Sequence, residues 1–559
     1  MSARTHGGAA LNRPEQASSK PPLRFISAAS LFDGHDAAIN MIRRLLQAHG
    51  AEVVHLGHNR SVADIVRAAI QEDADAIAVS SYQGGHNEYF QYMVDMLGER
   101  GRPDIRVIVG GGGTIAPHEI EALERHGVEK IYTPEDGRKM GLNGMIDDVF
   151  VRLGGVKKPP YEFGPLNARD HGHVARTLSV LEGAMIDEAS DAQADQVRRA
   201  LAKSKNKVPV IGITGTGGAG KSSLSDELLA RFVRHFPGKQ IAMVAMDPTR
   251  RRSGGALLGD RIRMNSLACE SIFMRSLATR RQNLATSAVL KDVIDLYRAA
   301  GFDLIIVETA GIGQSDTEIV DLVDLSLYVM TSEYGAASQL EKIDMLDFAD
   351  MVVLNKAEKR GAADSLRDVR KQWRRNHPDE ATLPDASIPV YPTIASRFND
   401  PGVNRLFAAM CQALTGKQIG STSWQVSDVG PTELIAREPL IPGQRTRYLA
   451  EIAQHGRRVR EHSKDQAEAA RRAFGIYESL KTLHDAPLPG PLDRYPEGAL
   501  SEGSADATKL ELRRAYNRAL DEIGTEGVGA LKAWPARAAA ATAEKYSYKV
   551  RDRVVVGDN

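Results

Sequence analysis

Val208-Pro-Val-Ile-Gly-Ile-Thr-Gly-Thr-Gly-Gly-Ala-Gly-Lys-Ser-Ser223 is an apolar run that breaks into glycine and ends on Gly-Lys-Ser. Gly215, Gly220, Lys221 and Ser222 fill the fixed positions of G-x-x-x-x-G-K-[ST]. Glycine suits such a loop because backbone N–H groups can converge on a phosphate with no Cβ in the way, and the following helix presents its positive end. Gly215, Gly217, Gly218, Ala219, Gly220, Lys221, Ser222 and Ser223 are therefore the candidate nucleotide-binding residues. Lys221 is placed to reach the β- and γ-phosphates and Ser222 to ligate Mg²⁺. The alternative, a glycine-rich strand-to-helix turn without a ligand, leaves the lysine and serine unexplained.

Working downstream, the strand Gln-Ile-Ala-Met-Val-Ala-Met ends at Asp247, and Phe-Asp-Leu-Ile-Ile-Val ends at Glu308-Thr309. Carboxylates at the carboxyl ends of strands beside a phosphate loop are where Mg²⁺ and its waters are held. The candidate metal residues at these positions are Ser222, Asp247, Glu308 and Thr309. Between the two strands lies Ser-Gly-Gly-Ala-Leu-Leu-Gly-Asp-Arg-Ile-Arg-Met-Asn, whose glycines permit movement and whose Asp260, Arg261 and Arg263 are placed to approach the γ-phosphate; a mobile polar loop with no such role is the alternative. Lys221, Asp260, Arg263 and Glu308 are the expected catalytic residues. Asn355-Lys356-Ala357-Glu358 follows a later strand. It matches the Asn-Lys-x-Asp guanine-recognition pattern with Glu358 in the Asp place, a carboxylate that can accept both N1–H and the exocyclic amine of guanine.

Upstream, residues 23–152 rotate strand and helix periods, which predicts a doubly wound parallel sheet with ligands beyond the strands' carboxyl ends. The loops at that edge carry Asp33-Gly34-His35-Asp36, Ser80-Ser81-Tyr82-Gln83-Gly84-Gly85-His86 and Gly110 to Gly113. A histidine two residues after an aspartate can be a metal ligand whose second nitrogen is held by the carboxylate.

The rest bounds the problem. At 559 residues, 42% of them hydrophobic, the chain should hold about three or four domains. Its 72 basic and 72 acidic residues cancel, so no global field recruits nucleic acid or a membrane. Cys269 and Cys411 lack metal-ligand spacing and fit a reducing compartment. No apolar run is long enough to span a bilayer, so a cytoplasmic protein is expected. Residues 1–22 are read as disordered, 153–207 as a helical linker opening at Lys157-Lys158-Pro159-Pro160, 208–417 as the nucleotide domain and 418–559 as helical linker. His171 and His173 are read as exposed loop histidines without a role.

The loop set of the first domain resembles cobalamin-binding domains of the base-off, His-on kind, whose pattern is D-x-H-x-x-G, S-x-L and G-G; here Ala38 stands at the final Gly and Tyr82 at the Leu. That resemblance implies His35 as lower ligand to cobalt, Asp33 behind it, and Ser80, Tyr82, Gly110 and Gly111 lining the slot for the displaced nucleotide tail. Asp-Pro-Thr-Arg-Arg-Arg-Ser-Gly-Gly-Ala-Leu-Leu-Gly-Asp-Arg-Ile-Arg-Met followed by Glu-Thr-Ala-Gly-Ile-Gly-Gln-Ser looks like the G-protein chaperones of adenosylcobalamin-dependent mutases. The joined pair is similar to the fused isobutyryl-CoA mutases. This implies a flavodoxin-like cobalamin domain, a P-loop GTPase domain in which Asp260 joins Asp247 and Glu308 around Mg²⁺ and Arg263 belongs to the nucleotide-responsive switch, adenosylcobalamin, Mg²⁺ and GTP, a homodimer, and an adenosyltransferase as cofactor donor. It also implies a substrate barrel, supplied in cis or in trans, which the 559 residues are not expected to contain. A cobalamin carrier or trafficking chaperone without mutase activity is the alternative, and a methylcobalamin methyltransferase module is disfavoured because it needs no GTPase.

Overall fold

Short, wholly buried apolar strands separated by amphipathic helices can satisfy their backbones only in parallel sheets covered on both faces. The computed structural model describes residues 21–111, 113–156, 158–184, 191–248, 255–279, 290–311, 316–334, 340–432, 447–501, 506–550 and 553–558. Two compact units emerge, residues 1–435 and 436–559.

Within the first unit, β1 (Arg24–Ser30), β2 (Glu52–Arg60), β3 (Ala76–Ser80), β4 (Arg106–Gly110) and β5 (Lys130–Tyr132) alternate with α1 (Asp36–Ala48), α2 (Val62–Gln71), α3 (His86–Glu99), α4 (Pro117–His126) and α5 (Pro134–Gly154). Starts follow local chemistry. The Ser61 hydroxyl accepts the Asp64 N–H to open α2, while Thr133 and Asp136 form a reciprocal capping box ahead of α5. α5 bends at Gly141, whose φ of 67° only glycine adopts readily.

A second parallel sheet follows: β6 (Val210–Gly215), β7 (Ile241–Pro248), β9 (Ile272–Thr279), β10 (Leu304–Glu308), β11 (Leu325–Met330), β12 (Met351–Asn355) and β13 (Val390–Thr393), in the order β13-β12-β11-β6-β10-β7-β9. Around it pack α6 (His171–Gly183), α7 (Asp191–Leu201), α8 (Lys221–His235), α9 (Leu290–Ala300), α10 (Ala362–Asn376) and α11 (Pro401–Lys417). The missing number belongs elsewhere. β8 (Ala256–Leu258) leaves this sheet and pairs parallel with β2, Glu52 opposite Ala256, Val53 opposite Leu257 and Val54 opposite Leu258. The first sheet therefore reads β5-β4-β3-β1-β2-β8. This removes the alternative of a mobile polar loop: Ala256 and Leu258 are fully buried, and a Cβ on Gly255 would lie 2.4 Å from the Gln47 carbonyl oxygen. Glycine is what lets the strand approach.

Between the two sheets lies a buried set of three arginines and three glutamates. Arg24 pairs with Glu52 at 2.6 Å and Glu182 at 3.2 Å, Arg275 with Glu182 at 2.5 Å, and Arg261 with Glu72 at 2.8 Å. Matched charges make such burial tolerable, whereas removing one partner of a buried pair typically costs about 3–5 kcal/mol.

In the second unit, α12 (Tyr448–Thr482) and α13 (Ala507–Ala541) pack Ala469, Ala473 and Leu480 with Tyr516, Leu520 and Ile523. A buried Arg513–Asp485 pair at 2.5 Å, capped by the Tyr495 hydroxyl, ties the turn between them. The sequence reading expected helix to the end. Instead β14 (Lys545–Val550) and β15 (Arg553–Asp558) form an antiparallel hairpin. No helix among the described residues is long and apolar enough to cross a membrane.

Candidate functional site

β1 delivers Asp33 to the carboxyl edge of the first sheet and α1 begins three residues later, so His35 sits in the turn between them. The Asp33 side chain is 1% exposed and that of His35 is 75% exposed. Asp33 Oδ1 lies 2.9 Å from His35 Nδ1 and also accepts the His35 N–H at 2.8 Å, while its Oδ2 accepts the Tyr82 N–H at 2.7 Å. With Nδ1–H facing a carboxylate, Nε2 keeps its lone pair and faces outward, the arrangement a metal-ligating histidine requires. The Tyr82 ring lies 5.3 Å from the imidazole and limits its swing.

Beside this turn opens an apolar cavity of about 370 Å³ between α1 and α5, with Ile39, Ile42, Ser80, Tyr82, Gly110 and Gly111 in its wall. Ser80 is buried and its Oγ has no hydrogen-bond partner among the described residues, a debt that a ligand in the cavity would settle. A Cβ on Gly110 would meet nothing within 4 Å, so the backbone there borders open space. The six members of the set, Asp33, His35, Ser80, Tyr82, Gly110 and Gly111, thus share one edge; Gly112 of the glycine run lies outside the described residues.

The second site is built at the carboxyl edge of the second sheet. Gly215 and Gly220 have φ of 139° and 93°, and a Cβ at Gly215 would fall 1.9 Å from the Val329 carbonyl oxygen. Gly217 and Gly218 span the loop to Ala219, and Lys221, Ser222 and Ser223 open α8. Lys221 Nζ donates to the Gly215 carbonyl at 2.9 Å, a cation folded back over its own loop where an anion would otherwise be met. Asn355 Nδ2 donates to the Ala219 carbonyl at 2.8 Å and Lys356 Nζ to that of Gly218 at 2.7 Å. The end of β12 thereby clamps the glycine-rich loop. Glu358 is exposed one turn beyond.

Ser222 Oγ lies 2.7 Å from Glu308 Oε1 and 3.0 Å from Asp260 Oδ1, and Ser225 Oγ donates to Glu308 Oε2 at 2.8 Å. Asp247 completes the group, with Oδ2 accepting the Gly259 N–H at 2.9 Å. Burial, then the neighbouring Asp260 charge, pushes both Asp247 and Glu308 above the usual carboxylate range, and burial raises Asp260 as well. Among the described residues no three His, Cys, Asp or Glu side chains close into a complete cage. An open cluster of carboxylates and a hydroxyl suits a hard cation that keeps part of its water, and such a cation would reverse the upward shifts. Thr309 Oγ1 donates to Thr214 Oγ1 at 2.9 Å. Arg263 is exposed above the cluster, whereas Arg261 turns away from it and buries its guanidinium against Glu72, Gln71 and the Met274 carbonyl, correcting its placement near a γ-phosphate.

Residues 23–135 match the B12 binding domain family, and residues 174–417 match the family described as methylmalonyl Co-A mutase-associated GTPase MeaB. The two domains belong to these families. The chain is 45% identical over 548 residues to a fused isobutyryl-CoA mutase of Geobacillus kaustophilus, covering 96% of this chain and 48% of that protein. Over 553 residues it is 45% identical to the fused isobutyryl-CoA mutase of Cupriavidus metallidurans, again covering 96% and 48%. The chain spans about half the length of the curated relatives it matches.

Seen as a B12 binding domain joined to a MeaB-type GTPase, the molecule contains residues that the sequence reading passed over. Ser225 fixes the far oxygen of Glu308, and Thr393 Oγ1 and the Ala395 N–H donate to Asn355 Oδ1 at 3.2 and 3.1 Å, so the amide can donate only toward the phosphate loop. Thr393-Ile-Ala-Ser at the end of an apolar strand was the available signal. His171 and His173 are not loop residues: they open α6, and His171 is half-buried beside Phe273.

Proposed function

We propose that this chain binds adenosylcobalamin with His35 as the lower ligand to cobalt and hydrolyses GTP with Mg²⁺. As part of a longer protein or assembly it would serve isomerisation of isobutyryl-CoA to butyryl-CoA, its GTPase gating cofactor loading and protection. The observation that carries this reading is the pairing, in one unit, of a free imidazole nitrogen backed by a buried aspartate with a clamped phosphate loop. Adenosylcobalamin supplies the carbon radical that such rearrangements need. This chain's own residues do the rest of the work assigned to it. Asp33 holds the His35 tautomer, Ser80 offers a hydroxyl to the cofactor's tail, and the apolar walls between α1 and α5 exclude water from that tail.

For hydrolysis, the N–H groups from Gly217 to Ser222 and the ammonium of Lys221 would bind the β- and γ-phosphates, with Lys221 leaving its own loop carbonyls to do so. Ser222, Asp260, Glu308 and Asp247 would hold Mg²⁺ directly or through water, Thr309 standing behind them, and Arg263 would close on the developing charge. Glu358 would read guanine. An adenosyltransferase as cofactor donor, a homodimer as the working assembly and a cytoplasmic setting accompany this reading. The experiment is to present the purified chain with GTP and with ATP: turnover that prefers GTP and requires Mg²⁺ supports the proposal, and equal turnover of both nucleotides contradicts it.

A further inference from the structure

Asp260 meets Ser222 in the nucleotide site, but the turn that carries it is built on the cobalamin-binding domain. Three attachments hold it. The first is backbone pairing: β8 lies in register with Glu52, Val53 and Val54, and only Gly259 separates its last paired residue, Leu258, from Asp260. The second is Arg261, buried, whose Nε donates to Glu72 Oε1 at 2.8 Å and whose Nη2 donates to Gln71 Oε1 at 2.7 Å. The third is Ile262: Arg60 Nη2 donates to its carbonyl at 3.2 Å, and its side chain sits so close to Gly57 that a Cβ there would be 3.0 Å away. Leu258 and Ile262 are thus fastened to β2 and Arg261 to the end of α2, while Gly259 and Arg261 are also tied to the second sheet through Asp247 and the Met274 carbonyl, leaving the backbone that carries the carboxylate little freedom of its own. Glu72 is itself held by the Ser276 N–H at 3.1 Å and by Arg275 and Arg24, so it is a fixed anchor and not a flexible one.

We infer that Glu72, Gln71 and Arg60 of the cobalamin-binding domain are positioning residues for the metal of the GTPase site, acting through Arg261 and Ile262 on Asp260. The inference rests on the proposed Mg²⁺-dependent GTP site and deepens it: the nucleotide's metal affinity depends on a domain that never touches the nucleotide. Since metal and turn share one equilibrium, loosening the turn weakens the metal and leaves the phosphate loop's own grip on nucleotide intact.

The test uses the full chain with GDP and Mn²⁺ in place of Mg²⁺, counting free Mn²⁺ by its EPR signal, with a fluorescent GDP analogue in chelator reporting metal-free nucleotide affinity. Glu72→Gln should raise the Mn²⁺ dissociation constant at least about fivefold while metal-free GDP affinity stays within about twofold, a split that general damage to the fold does not produce. Arg60→Ala, which removes only a half-buried contact, should shift Mn²⁺ in the same direction by less and serves if Glu72→Gln does not fold. Unchanged Mn²⁺ affinity in a folded Glu72→Gln and in Arg60→Ala overturns the inference alone. Absence of Mn²⁺ binding by the unmodified GDP-loaded chain overturns the nucleotide reading and the inference with it.

Discussion

His35 and His171 each stand near an aspartate, and their surroundings give them opposite uses. At His35 the acid is buried and the ring exposed, which leaves Nε2 available. We expect His35→Ala to remove imidazole nitrogen hyperfine structure from the cob(II)alamin EPR spectrum; a spectrum unaltered by the substitution contradicts the assignment. At His171 the ring is half-buried and the aspartate, Asp170, is exposed. Gln71 Oε1 accepts from Arg261, so its Nε2 is the donor facing His171 Nδ1 at 3.0 Å, and protonating Nδ1 would set two donors face to face. Burial, followed by the Arg261 and Arg67 charges and opposed by Asp170 and Glu270, lowers this histidine to about 4. A lowered folded-state pKa contributes stability that is complete above about pH 6.5 and is lost as pH falls toward 4. His171→Gln should therefore flatten the decline of melting temperature across that interval; identical declines would exclude the mechanism. Glu358→Ala removes one charge-assisted contact worth roughly 1.5–3 kcal/mol and should reduce the GTP-over-ATP preference by on the order of tenfold or more.

At the scale of elements, β8 is the piece whose placement matters most. Its Gly255 passes so near the Gln47 and Ala51 carbonyls, 2.4 and 2.7 Å from an added Cβ, that Gly255→Ala should push the strand off β2. The overpacking should destabilise the fold by about 1–3 kcal/mol, read from the denaturation midpoint, and should accelerate hydrogen exchange at Ala256 to Leu258. Protection unchanged at those amides would show that the edge pairing is not what holds the turn. The phosphate loop, the strand–helix rotation and Asp33-x-His35 were readable because each is written in contiguous residues with a local chemical reason. β8 was not, because Ala-Leu-Leu is too short to carry a period and its partner, β2, lies some two hundred residues earlier. The same limit hid Glu72 and Gln71, whose importance depends wholly on Arg261 reaching them across that gap. The terminal hairpin escaped for another reason: Lys545-Tyr-Ser-Tyr-Lys-Val and Arg553-Val-Val-Val-Gly-Asp follow long helical runs rich in Ala, Arg and Glu, and the helical pattern was carried past its end.

For the whole molecule, two ligand sites are assigned to two sheets joined by one strand and a buried group of six charges. The proposed joint transmits position at Asp260, but the groups proposed to meet each ligand lie apart: His35, Asp33 and Ser80 at the first sheet, Lys221, Ser222 and Asn355 at the second. The most direct measurement is a crossed titration of the unmodified chain, His35→Ala and Lys221→Ala, with cobalamin followed by its visible spectrum and GDP by a fluorescent analogue. The account predicts that His35→Ala weakens cobalamin and retains GDP, while Lys221→Ala loses GDP and GTP turnover and retains cobalamin. A chain that binds neither ligand, or variants that lose both together, would contradict it.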